Sequence, residues 1–173
     1  MKHIYLISGP PGAGKSTVAL ELSEVLPKSI HIECDKIYNM VKGGFVKPWQ
    51  DGAHALLEVM YDAFVAIATV YVNAGFTVVS DYVWNLDEIE SIKRKFPSDL
   101  SIQLCFLLPS LEVNLQRDAN REFVIGEDRV QKYHLEFEQI KKSYPKYFFD
   151  NTGIYAQEIV RILMNDSHKP CTL

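Results

Sequence analysis

HIYLISGPPGAGKSTVALELSEV, residues 3–25, contains a short apolar run, a glycine-rich turn and a helix-forming segment in immediate succession. Residues 3–8 are β-branched, aromatic and apolar, which predicts a buried strand. Gly9-Pro-Pro-Gly-Ala-Gly14-Lys15-Ser16 fits the spacing G-x-x-x-x-G-K-[ST] at every position. Residues 15–25 predict a helix, closed by Pro27. The glycines let the backbone at Gly9, Gly12, Ala13 and Gly14 wrap a phosphate with its amides turned inward. The helix that starts at Lys15 adds unpaired N–H groups and a positive dipole end. Lys15 supplies a cation for the β- and γ-phosphates, Ser16 a hydroxyl for Mg²⁺, and Thr17 is placed for the α-phosphate. The stretch therefore implies a nucleoside triphosphate, read as ATP with Mg²⁺, and leaves open what becomes of it.

Working outward, SIHIEC (29–34) predicts a second strand with Asp35 at its carboxyl end. Asp51 is expected to cap a long apolar helix that ends before Gly75. FTVVS (76–80) predicts a third strand followed by Asp81, and Asn85 a cap for a helix over 86–96. SIQLCFLL (101–108) predicts a fourth strand, with Ser110 capping the next helix to Arg121. A polar helix follows over 127–143, then a short strand and turn in YFFDNTG (147–153), a last amphipathic helix over 155–164, and a loose tail. Alternating strands and helices with short connections imply a three-layer α/β fold. The expected sheet is parallel, of about five strands, with helices on both faces. No repeat or linker interrupts the pattern, so residues 1–173 read as one domain.

Bulk properties exclude several classes. The chain has 173 residues, a formal net charge of −4 and 47% apolar residues. Nucleic-acid binders carry a basic excess or stripe. Here KRK (93–95) and KK (141–142) are short and read as solvated helix faces. Cys34, Cys105 and Cys171 are too widely spaced for a disulfide framework or a zinc site, and fit a reducing compartment. The N-terminal run lacks a signal peptide's core and cleavage site, and Ala63–Val72 falls short of the roughly 20 apolar residues that span a bilayer. The expectation is a cytoplasmic chain without nucleic-acid or membrane partners, monomeric or homodimeric. His31, His54 and His134 read as structural or exposed, because no pair stands at metal spacing with a third ligand.

Magnesium needs a carboxylate near the loop, and in open α/β sheets ligands meet the carboxyl ends of strands. Asp81, after the third strand, and Glu33 and Asp35, after the second, are the candidates. The other reading of each is a strand-end turn residue or a helix cap, and it weighs most for Glu33. Glu33 and Asp35 alternate across Cys34 and can share a face.

With these residues in view, the chain resembles the small phosphate-loop kinases of metabolites, nucleotides and antibiotics. The likeness is to gluconate kinase-like and shikimate kinase-like proteins and to the chloramphenicol phosphotransferase-like group. It extends over nearly the whole chain, with the loop as its most specific motif. ECD (33–35) resembles the D-x-D of the first two, with Glu33 in the metal-side position and Asp35 toward the substrate hydroxyl. LPKSIHIECD resembles the third group, where an Asp after this strand acts as base. The resemblance thus implies Asp35 as proton acceptor. RDANREF (117–123) resembles the lid of these kinases, which implies a small helical lid at about 117–129. It implies Arg117 over the adenine and Arg121 at the transferring phosphoryl group, with Arg129 a further member. FFDNTG (148–153) resembles the turn that touches adenine, implying Asn151 and Thr152. KPW (47–49) resembles a K/R-P-W stretch of gluconate kinases.

The implied activity is transfer of the γ-phosphoryl group of ATP to a hydroxyl of a small molecule, possible acceptors being gluconate or another metabolite. Antibiotic or nucleoside phosphotransfer, or ATP binding without catalysis, are the alternatives. Catalysis would rest on Lys15, Asp35 and Arg121, and the acceptor pocket on Asp35, Tyr38, Trp49, Tyr82, Trp84 and Arg129.

Overall fold

Five strands and seven helices alternate along the chain in a computed structural model that describes residues 3–165. Cys171 and the expected tail lie outside them. The order is β1 (His3–Ser8), α1 (Lys15–Val25), β2 (Ser29–Glu33), α2 (Cys34–Tyr38), α3 (Ala53–Asn73), β3 (Thr77–Asp81) and α4 (Leu86–Lys95). Then come β4 (Ser101–Leu107), α5 (Leu111–Ala119), α6 (Glu127–Ser143), β5 (Phe148–Phe149) and α7 (Ala156–Met164). All neighbouring strands are parallel, in the spatial order β2-β3-β1-β4-β5. The sheet is the three-layer phosphate-loop α/β fold that the alternation predicted.

The strand period of two divides the core between the faces. Ile4 and Leu6 of β1 and Ile102, Leu104 and Phe106 of β4 face the layer built by α3, α4 and α6, with Phe64, Ile89 and Phe137. Ile7, Cys105 and Leu107 face α1 and α7, through Val18, Leu22 and Ile159. After β1 the chain crosses to β2 at the edge, returns to β3, and then passes to β4 on the far side of β1. The order reverses at β1, which opens the ligand crevice at its carboxyl end. The phosphate loop begins there.

Several boundaries are set by caps. Asn85 accepts from the Glu88 amide while Glu88 reaches back to the Asn85 amide, a full capping box for α4. Ser110 caps α5 through the Val113 amide. Asp51 does not cap α3. The N-cap is Gly52, left-handed at φ 86°, with no side-chain bond. At 21 residues, α3 is long and apolar enough to cross a membrane, against the expectation drawn from its uninterrupted run alone. Glu58 and Asp62 lie along it and bind Lys95 of α4, while Met60, Phe64 and Ala68 pack on the sheet. The helix is thus a core element of this fold.

Candidate active site

The loop after β1 holds its shape by close backbone approach. A Cβ on Gly9 (φ 140°) would stand 2.2 Å from the Leu107 carbonyl oxygen, and one on Gly12 (φ 80°) 2.6 Å from that of Asn114. Only glycine fits either place. Asn114 of α5 donates through Nδ2 to the Pro11 carbonyl at 2.7 Å, and its Oδ1 lies 3.0 Å from His134 Nδ1 of α6. Because the amide nitrogen is already committed to Pro11, Oδ1 is the acceptor and the ring nitrogen the donor. On the other flank the Ala13 carbonyl accepts from Asn151 Nδ2 at 2.8 Å and from Arg117 at 3.4 Å. The helix α1 begins at Lys15 with Gly14 as N-cap and no side-chain cap, so its first amides remain free for an anion.

A cavity of about 400 Å³ opens against this loop, a size that suits a nucleotide. Gly12, Gly14, Lys15, Ser16 and Thr17 form one side, and Arg117, Arg121 and Asn151 another. Ile154, Tyr155 and Ile159, absent from the sequence reading, complete it. Thr152 is not part of the wall. Its hydroxyl accepts from the Ser110 amide at 2.7 Å and ties the last turn to α5 instead. Asn151 is buried, and its Oδ1 has no hydrogen-bond partner among the described residues.

Ser16 donates to Asp81 Oδ2 at 2.6 Å, and His31 Nε2 lies 2.6 Å from Asp81 Oδ1. A hydroxyl and a carboxylate at this separation are hard oxygen donors suited to Mg²⁺, which takes few protein ligands and completes its shell with water and phosphate. Among the described residues no group of three or more His, Cys, Asp or Glu forms a metal cage. Glu33 is not drawn to Ser16. Its carboxylate pairs with Lys36 at 2.5 Å, because α2 starts directly at Cys34 and sets Lys36 one turn on. His31, read as structural or exposed, has a structural role: it holds Asp81. Its position two before Glu33 on β2 is legible in the sequence, but the pairing of that strand with the one that carries Asp81 is not.

Asp35 stands in the first turn of α2, exposed, and its carboxylate makes no hydrogen bond among the described residues. Partial removal from water raises its carboxyl above the ordinary range. Lys15 and Arg121 pull it down, while Asp81 and Glu33 push it up. Lys15 donates to the Pro10 carbonyl at 3.0 Å. Burial lowers its ammonium to about 8, Asp81 and Asp35 oppose this, and Arg121 adds to it. Lys15, Asp35, Asp81 and Arg121 therefore share one electrostatic site. Arg121 lies 3.6 Å from Asp118 and is half exposed. The buried Asp118 also accepts from the amides of Ile125 and Gly126, which fixes both ends of the segment 120–126.

The aromatic residues divide. Trp84 is wholly buried, packed on Tyr61, Phe64 and Tyr82, and belongs to the core, not to a pocket wall. Tyr38 is buried too, its hydroxyl donating to the Val46 carbonyl at 2.7 Å. Trp49 is exposed, with Arg129 stacked 4.1 Å from its ring and Lys47 at 5.7 Å. Cys34 and Cys105 are buried, and burial pushes both thiols up, Cys105 to about 12.

The sequence matches no family model and no curated protein. Solved structures do match. A chain of the Pnkp1/Rnl/Hen1 RNA repair complex superposes with a TM-score of 0.67 at 15% identity, over 82% of this chain. This chain spans only 45% of that one. The tunicamycin resistance protein of Deinococcus radiodurans gives 0.64 at 18% identity, covering 93% of this chain and 92% of that one. A shikimate kinase from Acinetobacter baumannii gives 0.58 at 22%, covering 93% and 89%. A gluconokinase from Sinorhizobium meliloti 1021 gives 0.57 at 17%, covering 92% and 88%. At these identities the likeness is one of fold, the three-layer phosphate-loop α/β fold.

Proposed function

We propose that the chain is an ATP-dependent kinase that transfers the γ-phosphoryl group to a hydroxyl of a small-molecule acceptor. The observation that carries this reading is the meeting of Lys15, Arg121 and Asp35 beside the Ser16–Asp81 pair. A module that only bound ATP would need the loop but not a carboxylate facing it across the crevice.

The loop amides and the free N-terminal amides of α1 hold the phosphates, and Lys15 places its charge at the β- and γ-oxygens. Ser16 and Asp81, the latter steadied by His31, would hold Mg²⁺, which offsets phosphate charge. Asp35 accepts the acceptor's hydroxyl proton as that oxygen bonds to the γ-phosphorus and the bond to the bridging oxygen breaks, leaving ADP. Arg121 offsets charge on the phosphoryl group in flight. Arg117 and Asn151 form the adenine end.

Gluconate or another metabolite is the acceptor that the kinase resemblance suggests. The fold likeness to a tunicamycin resistance protein favours a second reading, antibiotic or nucleoside phosphotransfer at the same site. Both readings assign a diffusing small molecule, no nucleic acid and no membrane, to a cytoplasmic monomer or homodimer.

The test is ADP release from Mg·ATP with gluconate, shikimate, nucleosides and hydroxylated antibiotics, wild type beside Asp35→Asn. One acceptor should stimulate release, and the variant should lose about a hundredfold or more in turnover while ATP affinity stays within about twofold. Equal turnover in the variant would overturn the kinase reading and leave an ATP-binding module.

A further inference from the structure

A second cavity, of about 190 Å³, begins one residue beyond Asp81. Tyr82 and Glu88 form one side, Tyr133 and Glu136 of α6 the other, and Leu57 and Phe137 add apolar surface. No lysine or arginine lines it. The nearby cations Arg129 and Lys47 are engaged on the ring of Trp49.

Its polar groups are unevenly satisfied. Glu88 accepts from Tyr61 and from the Asn85 amide. Glu136 is half exposed to water and pairs at 3.9 Å with the exposed Lys132. Tyr82 is 6% exposed, and its hydroxyl has no hydrogen-bond partner among the described residues. Burial first, then the carboxylates of Asp35 and Glu88, hold that phenol well above its ordinary range, so it stays neutral. Tyr82 thus lines the cavity within electrostatic reach of the proposed base, with an unpaired hydroxyl beside two carboxylates. The hydroxyl oxygen is not fully enclosed, so an acceptor in the cavity can reach it. An anionic acceptor would meet like charge here, whereas an ammonium would meet opposite charge in partly desolvated surroundings.

From this we infer that the cavity seats the non-reacting part of the acceptor, and that the acceptor is an alcohol bearing a protonated amine and an apolar or ring portion. The inference rests on the kinase reading and narrows it, and it disfavours sugar acids, hydroxy acids and nucleotides as acceptors.

Three probes on one skeleton test it: 2-amino-1-phenylethanol, 1-phenylethane-1,2-diol and mandelate, which are cationic, neutral and anionic. Their binding is measured by calorimetry on the full chain saturated with a non-hydrolysable Mg·ATP analogue. The amine should bind about tenfold more tightly than mandelate, with the diol between them. Glu136→Lys or Glu88→Gln should narrow that ratio with analogue affinity unchanged. Equal binding of all three, absent binding of all three, tighter binding of mandelate, or a ratio that survives both substitutions would overturn the inference. The two layers fail separately. A chain that binds the analogue and needs Asp35 for ADP release, yet shows no amine preference, remains a kinase with a different acceptor. Loss of the Asp35 requirement removes the kinase reading itself.

Discussion

The ammonium of Lys15 stands among two carboxylates and a guanidinium, and burial lowers it to about 8. Bound phosphate would raise it again. Below pH 8 the free protein already holds the proton, and binding takes up none. Above it, each binding event must draw a proton from solution. The dissociation constant for Mg·ATP should therefore be flat up to about pH 8 and then rise by up to about tenfold per unit. A titration of affinity from neutral to alkaline pH checks this, and a flat line would contradict it. Asp35 gives the opposite limb. Its carboxyl is raised, so kcat/KM should climb with pH through a midpoint above the ordinary carboxylate range. Because Arg121 pulls that carboxyl down, Arg121→Ala should move the acid limb to higher pH as well as lower turnover. An unmoved limb would separate the two residues. At this scale much was legible. The loop residues, Asp35 and Asp81 could be read from spacing because strand ends and helix starts fix where they stand. The pairing of His31 with Asp81 could not, because it joins two strands whose adjacency no local pattern encodes. Trp84 misled for a related reason: an aromatic after a strand end has the same local signature in a pocket wall and in a core.

Among the elements, α5 and α6 flank the segment 120–126 and also grip the phosphate loop, through Asn114 on Pro11 and His134 on Asn114. Asn114→Ala would leave the Pro11 carbonyl and the His134 ring nitrogen without partners in the interior. A loss of about 1–3 kcal/mol in unfolding free energy is expected, with weaker nucleotide binding. Urea denaturation and analogue titration would read both, and a variant as stable as wild type would refute the clamp. At the start of α4, Asn85→Ala should cost about 1 kcal/mol through the broken capping box, seen as a lower melting temperature. Caps of this sort were readable because donor and acceptor are three residues apart. The long helix was different. Asp51 had the right chemistry for a cap, yet the chain turns through left-handed Gly52 and starts the helix without it. The Asn114–Pro11 bond spans 103 residues, and no reading of adjacent sequence reaches that far.

Over the whole molecule, alternation of strand and helix was enough to give parallel pairing and three layers. The order β2-β3-β1-β4-β5 depends on which side of β1 each crossover takes, a matter of packing between distant faces. The same packing gathers Trp84, Tyr61, Phe64 and Tyr82 into one aromatic cluster beyond the end of β3. That cluster packs against Tyr82, the residue after Asp81, so Trp84→Ala should cost about 3–5 kcal/mol in unfolding free energy by urea denaturation and cut acceptor-stimulated turnover more than analogue binding.

The contrast between the two tryptophans has a practical side. The sequence holds two, one wholly enclosed and the other on a loop with a guanidinium against its ring. The first should emit at short wavelength, shielded from dissolved iodide. The second should emit farther to the red and be quenched readily. Arg129, at the foot of α6, touches only the second. Any closing movement of that helix would change the emission of Trp49 and leave that of Trp84 in place, so the chain carries its own optical gauge of closure with an internal reference.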